Sequence, residues 1–172
     1  IEWLVTSLLK LSRLESGMIQ LKKEEVYVKD LIKSALEPLK IPIEVKMQKT
    51  IFKGNLKTKV YCDFNWTKEA LVNIIKNAHE HTPEKGMLEF VWQDNPLYVA
   101  IIITDTGEGI APDDLKHIFE RFYKGKSSSK DSIGIGLNMA KQIIERQQGD
   151  NSVRSIVGQG TEFTIKFYKN RV

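Results

Sequence analysis

The sequence predicts an α+β domain, a two-layer sandwich with helices packed on one face of a mixed, mainly antiparallel sheet. Three observations predict it. Strand-like and helical patterns alternate along the chain. Two pairs of strand-like runs are joined by turn residues, Asp94-Asn95-Pro96 and Gly158-Gln159-Gly160, as in antiparallel hairpins. The run Val99-Ala100-Ile101-Ile102-Ile103 is apolar on both faces and should be a central strand.

Each element has its own warrant. Ile1, Leu4, Leu8 and Leu11 keep the spacing of a helix that packs on partner helices, and Ser16-Gly17 ends the pattern. So short a stripe is marginal as an isolated helix, which makes it the expected tail of a longer helix, in a piece of a longer protein. Val26 and Val28 read as a short strand leading to Asp30, an expected N-cap for a helix faced by Leu31, Ile32, Ala35, Leu36 and Leu39. Ile41, Ile43, Val45 and Met47 alternate as in a half-exposed strand. Asp63 or Asn65 then caps a long helix whose core face is Trp66, Ala70, Leu71, Ile74, Ile75 and Ala78. Met87 to Trp92 and Leu97 to Thr104 form the first hairpin. From Thr106 to about Ser132 apolar periodicity fades and a long loop is expected. A helix from Leu137 to Gln148 stops at Gly149, and Val153 to Val157 with Phe163 to Phe167 form the closing hairpin.

Composition bounds the function. The chain has 172 residues, a formal net charge of +4, 41% hydrophobic and 28% charged residues. That suits one domain, or one domain plus a fragment, and excludes a disordered or membrane-embedded chain. No apolar run approaches the ~20 residues of a bilayer span. The single cysteine, Cys62, rules out an internal disulfide and fits a reducing compartment. The basic excess is spread out, so nothing demands a nucleic-acid partner.

Three stretches carry chemistry. In Thr67 to Pro83, TKEALVNIIKNAHEHTP, residues Glu69, Asn73 and Asn77 recur every fourth position and form one polar helix stripe. A solvated face would explain it; so would a row of oxygen ligands for a hard cation such as Mg²⁺. DTGEGI, Asp105 to Ile110, follows the buried strand; its glycines permit close backbone approach, and the Asp can accept a hydrogen bond from an amine. SIGIGLNMAK, Ser132 to Lys141, places Gly134 and Gly136 before a helix, where free N–H groups favour phosphate. The GKSS at Gly125 is not a P-loop, because Glu120 stands where that motif needs glycine.

Taken in order, the Asn helix, DTGEGI, FERFYKG, GIGL and GQGTEF resemble the N, G1, F, G2 and G3 boxes of sensor histidine kinases. That family shares its ATP-binding (Bergerat) fold with type II topoisomerases and a heat-shock chaperone family. The resemblance spans about Leu21 to Val172, and LLKLSRLESG resembles the end of the family's dimerization hairpin. It implies a remnant of the dimerization helix over residues 1–16, a linker at 17–24, and a catalytic ATP-binding domain over 25–172.

The resemblance also implies roles. Asn77 matches the Mg²⁺-binding residue of the N box and Asn73 its partner one turn earlier, with Glu80 and His81 closing the nucleotide-binding set of that helix. Asp105 matches the reader of the adenine amine, with Gly107, Gly109 and Ile110 beside the base. Tyr123 and Lys124 end the F box, where a basic residue commonly reaches the phosphates. Gly134, Gly136 and Leu137 would meet the phosphates at the helix start, and Thr161 would lie near the adenine. The span Gly125 to Ser132 would be the lid. ATP and Mg²⁺ are thus the implied ligands.

Departures are informative. Glu80 stands where many relatives carry Lys or Arg, and Ser132 replaces the first glycine of the longer GxGxGL form. His79, His81 and His117 fall in or beside these boxes, and no acceptor segment of the family is present. The implied activity is transfer of the γ-phosphoryl of Mg²⁺-ATP to a histidine on the protein's own dimerization domain, then relay to a response regulator. The whole protein would be a homodimeric, membrane-bound bacterial sensor with this part in the cytoplasm, and the fragment alone a monomer that binds no nucleic acid.

Overall fold

The computed structural model describes residues 2–125 and 133–169. Its elements are α1 (Glu2–Glu15), β1 (Lys23–Tyr27), α2 (Val28–Leu36), a 3₁₀ turn (Glu37–Leu39), α3 (Lys40–Val45), β2 (Lys49–Lys53), β3 (Lys59–Asp63), α4 (Phe64–His81), β4 (Met87–Asp94), β5 (Tyr98–Asp105), α5 (Pro112–Leu115), α6 (Gly136–Arg146), β6 (Gly149–Ile156) and β7 (Gly160–Tyr168). The main sheet runs β2-β4-β5-β7-β6, and β1 pairs with β3 in a separate two-stranded ribbon. Among the described residues only β2 on β4 is parallel and every other pair is antiparallel, so the sheet is mixed and mainly antiparallel.

Register explains the core. Phe90, Ile103 and Phe163 lie side by side across β4, β5 and β7, as do Trp92, Ile101 and Ile165. All six are buried, against helix residues such as Leu71, Ile74, Ile75, Ile143 and Ile144. Truncating one of the fully buried phenylalanines would cost about 3–5 kcal/mol. At the end of the same face, Leu88, Asp105 and Thr161 continue the rows. A carboxylate thus occupies the position where the apolar face runs out, and β5, the third of five strands, is the central one.

Helix α4 starts at the predicted cap: Asp63 Oδ1 accepts from the Trp66 N–H at 3.0 Å. Its other oxygen accepts from the Lys22 N–H at 2.8 Å, and the Asp63 N–H donates to Gln147 Oε1 at 2.7 Å, tying the start of α4 to the end of α6. The other end of α4 is capped by distant side chains. Lys46 Nζ donates to the carbonyls of His79, Glu80 and Thr82, and Gln48 Nε2 to those of His79 and Thr82.

Three expectations are corrected. The alternating run Ile41 to Met47 is not a strand but helix α3 and its exit. Only Ile43 faces inward, while Ile41, Val45 and Met47 are exposed, so the alternation marked one inward residue flanked by surface. The edge strand β2 lies just beyond it. Asp30 is not an N-cap: α2 begins at Val28, directly out of β1, and Asp30 sits in the first turn. The long loop after Thr106 contains the short helix α5, started by Pro112. Strand β2, short and largely exposed, and β3, only five residues long with Val60 and Cys62 buried, were not placed from the sequence.

In α1, Leu11 and Leu14 are buried in the main core while Val5, Leu8 and Leu9 are exposed. Positive φ at Gly17 ends the helix, as predicted.

Candidate nucleotide site

The predicted site residues fall into two contacting groups joined by α4. The first surrounds Asp105. Its carboxylate is 3% exposed, and Oδ1 accepts the Gly107 N–H at 2.8 Å. Burial raises its pKa above the ordinary value, opposed by the N–H groups of Gly107 and Thr161 and by the neighbouring His81. A buried carboxylate held by short backbone contacts, with acceptor capacity left over, can read an external amine.

The glycines here are required by close approach. A Cβ on Gly107 would sit 2.4 Å from the His81 carbonyl oxygen and 2.8 Å from Asp105 Oδ1. One on Gly160, whose φ is +127°, would lie 1.9 Å from the Asp105 carbonyl oxygen. Gly109, also at positive φ, packs on the Ile156 carbonyl. The G1 and G3 boxes are stitched together through Ser155: its hydroxyl accepts the Ile110 N–H at 2.8 Å, donates to the Gly160 carbonyl at 2.9 Å and lies 2.8 Å from Thr161 Oγ1. His81, from the last turn of α4, reaches this group through Nδ1, 3.0 Å from Glu108 Oε1.

The second group is looser. Asn73 Nδ2 donates to the Glu69 carbonyl at 2.9 Å, which turns its Oδ1 toward α6: a Cβ on Gly136 would be 2.7 Å from that oxygen. Gly134, at φ +73°, packs on the Tyr123 carbonyl, and its own carbonyl accepts the Phe122 N–H at 2.9 Å, so the F and G2 boxes adjoin. Leu137 packs against the core beneath them. Tyr123 donates its hydroxyl to Asp114 Oδ1 at 2.5 Å, and that bond pushes the phenol pKa up to about 12. Lys124 is exposed and makes no ion pair with a described residue. Asn77 is half-buried, and its amide makes no hydrogen bond to another described residue. Glu80 Oε1 lies 3.9 Å from Lys76 Nζ.

The donor set bears on a metal. No group of three or more His, Cys, Asp or Glu side chains that could hold an ion occurs among the described residues. Among the described residues a protein-only cage is therefore lacking, but the carboxamide oxygen of Asn77 fits a cation that keeps its waters and takes further ligands from phosphate. Residues 126–132 of the expected lid, Ser132 included, lie outside the described residues.

Three contributors escaped sequence reasoning. Ser155 carries no motif signal. Gly160 was visible in GQGTEF, yet its contact with the strand that carries Asp105 needs the sheet register. The Lys46 and Gln48 cap on α4 joins residues over thirty positions apart. His79 belongs to that cap: its Nδ1–H donates to Gln48 Oε1 at 2.7 Å, and burial, then Lys46, lowers its pKa.

Residues 62–171 match the family described as histidine kinase-, DNA gyrase B- and HSP90-like ATPase. The sensor protein SrrB of Staphylococcus aureus is 31% identical over 176 residues, covering 96% of this chain, which spans 29% of that relative's length. Among solved structures, the Acinetobacter baumannii histidine kinase AdeS matches with a TM-score of 0.82 at 24% identity, over 99% of this chain and 79% of its own. The mycobacterial sensor histidine kinase MprB matches at 0.75 and 24%, over 86% and 97%. Full-length ShkA in complex with AMPPNP matches at 0.83 and 24%, over 98% and 36%.

Proposed function

Because the chain belongs to the histidine kinase-, DNA gyrase B- and HSP90-like ATPase family, we propose that it is the ATP-binding catalytic domain of a two-component sensor histidine kinase, preceded by the end of its dimerization helix. The observation that carries this reading is Asp105, a buried carboxylate at the end of the central strand, flanked by Gly107 and Gly160, which pack too closely on the His81 and Asp105 carbonyls to carry a side chain.

In this reading Asp105 accepts a hydrogen bond from the exocyclic amine of adenine, and Thr161, Gly107, Gly109 and Ile110 shape the slot. His81, next to it on α4, offers an imidazole to the base. Asn77 would hold Mg²⁺, with Asn73 one turn earlier, and the ion would supply neutralisation of phosphate charge. Lys124 and Tyr123 face the phosphates, as do the N–H groups at the start of α6, where the helix dipole favours anions. Glu80, already beside Lys76, adds no positive charge there.

The chemistry is positioning and charge neutralisation, with the γ-phosphoryl passed in line to a histidine nitrogen on the dimerization domain. Asn73 favours transfer over hydrolysis: relatives that hydrolyse ATP place a water-orienting Glu four residues before the metal-binding Asn, and an amide cannot take up water's proton. His79 is buried in the α4 cap, and none of the chain's three histidines lies in a segment that resembles the family's acceptor. The whole protein would act as a homodimer, pass the phosphoryl group to a response regulator and sit at the cytoplasmic side of a membrane. No helix among the described residues is long and apolar enough to cross one.

Calorimetry with ATP and GTP, with and without Mg²⁺, tests binding: ATP should bind and GTP should not. Radiolabelled ATP tests transfer. The chain alone should stay unlabelled, and a separately made dimerization domain of the same parent should take up acid-labile label, slowly because the tether is cut. Acid-labile label on the chain alone, lost when His79, His81 and His117 are replaced, would overturn the reading.

A further inference from the structure

A second concave site shares no residue with the nucleotide site. A cavity of about 520 Å³ opens between α2, α3 and the edge strand β2. Thr50 and Phe52 of β2, with Trp92 of β4, form its floor, and Ile32 and Ile43 its wall. Phe52 stacks on Phe90 at 5.2 Å between ring centroids, yet remains 50% exposed. An aromatic ring left half in water at the mouth of an apolar cavity is unused binding surface.

The strand that borders the cavity is open. β2 ends the sheet, and no strand among the described residues pairs with its outer edge. Its outward N–H and C=O groups are a template for one more strand. Because Thr50 and Phe52 share the floor side, a strand added beside β2 would place every second side chain over the cavity, extending the same floor.

Charge selects the occupant. Lys29, Lys33 and Lys40 stand at the helix side of the mouth, against Glu37 and Glu44, and Lys49 begins the strand. Among the described residues, Lys33, Lys40 and Lys49 make no ion pair. Self-pairing of two β2 edges would bring Lys49 and Lys53 of both copies together, which disfavours a second copy of this chain. We infer that the edge of β2 and the adjoining cavity form a docking site for an extended segment of a partner protein in which acidic residues alternate with apolar ones. Main-chain bonds to β2 supply register, the cavity takes the apolar side chains, and Lys49 and Lys53, on the opposite face of β2, meet the acidic ones.

The test is amide exchange and NMR on the isotope-labelled chain titrated with a capped heptapeptide that alternates Asp or Glu with Val, Phe and Leu. The expected result is at least about tenfold greater protection of the outward Thr50 and Phe52 amides, a shift of the Trp92 indole signal, and no effect from the same peptide with lysines for the acids. Lys49→Glu with Lys53→Glu should weaken the peptide about tenfold and leave ATP binding unchanged. Should that double variant misfold, the exposed single change Lys49→Glu must weaken the peptide too. Absence of protection, equal binding of the lysine peptide, or occupation of the cavity by decanoate alone would each overturn the inference. ATP titration of the same sample is an independent readout, so failure here is distinguishable from failure of the nucleotide site.

Discussion

The two ends of the nucleotide site are built differently. Around Asp105 the walls are backbone: the His81 and Asp105 carbonyls, the Gly107 N–H and the Ile156 carbonyl, all within van der Waals reach of glycine α-carbons. Around Asn77 half-buried or exposed side chains predominate, joined by few hydrogen bonds, beside the backbone contact of Gly134 with the Tyr123 carbonyl. Backbone held in a sheet register cannot shift without breaking the ladder, so the first end is preorganised for one ligand shape. In the proposed reading the second end holds the phosphate chain and can adjust as its bond breaks. A site that gripped the base and stayed adaptable at the reacting group would suit a transferase.

The largest expected effect is at the rigid end and concerns folding. Gly160→Ala should cost more than about 3 kcal/mol, since the new Cβ meets the Asp105 carbonyl and φ is +127°. Gly158→Ala, at φ +81° with open space around it, should cost only about 1–2 kcal/mol. Urea denaturation of both decides. Equal losses would mean that the close approach is unimportant and would dissolve the contrast between the two ends.

Next is Asp105→Ala, expected to lose about 1.5–3 kcal/mol of affinity for any adenine nucleotide, with or without Mg²⁺. The same group sets a pH dependence. The ionised carboxylate is the acceptor, and burial raises its pKa. Affinity should therefore fall on acidification at a higher pH than an exposed aspartate would give, and Asp105→Asn should flatten that limb. Stability moves the other way. With its folded pKa raised, this carboxyl's contribution to folding is full below the unfolded value and is lost as pH rises through the folded one. Weakened binding in mild acid would thus not be unfolding driven by Asp105, and calorimetry beside thermal melts separates the two.

Asn77→Ala sharpens the comparison from the adaptable side. It should cost about 1 kcal/mol, and only when Mg²⁺ is present. Identical losses with and without the ion would move Asn77 from the metal to the nucleotide itself. The smallest effect belongs to Glu80→Lys, expected to tighten Mg²⁺-ATP by under about 1 kcal/mol because the exposed position is screened. Weaker binding would show that Glu80 serves the site directly.

Much of this was legible locally, in residues whose neighbours in sequence are also their neighbours in space. Asp63 caps α4 three residues ahead of the N–H it accepts, and the hairpins at Asp94-Asn95-Pro96 and Gly158-Gln159-Gly160 close on themselves. The order of the five boxes carried the family and, through it, the candidate residues. Tertiary structure decided the rest. It turned Ile41 to Met47 into a helix because a single inward residue, Ile43, satisfied the core, and made a strand of the exposed Lys49–Lys53 because β4 offered its edge. It set Thr161 beside Asp105 and forced glycine at 160, since only sheet register brings β7 against β5. Helix periods and turn chemistry act over a few residues and can be read from the chain; strand pairing, the remote cap on α4 and the burial that tunes Asp105 arise only when distant segments share one core.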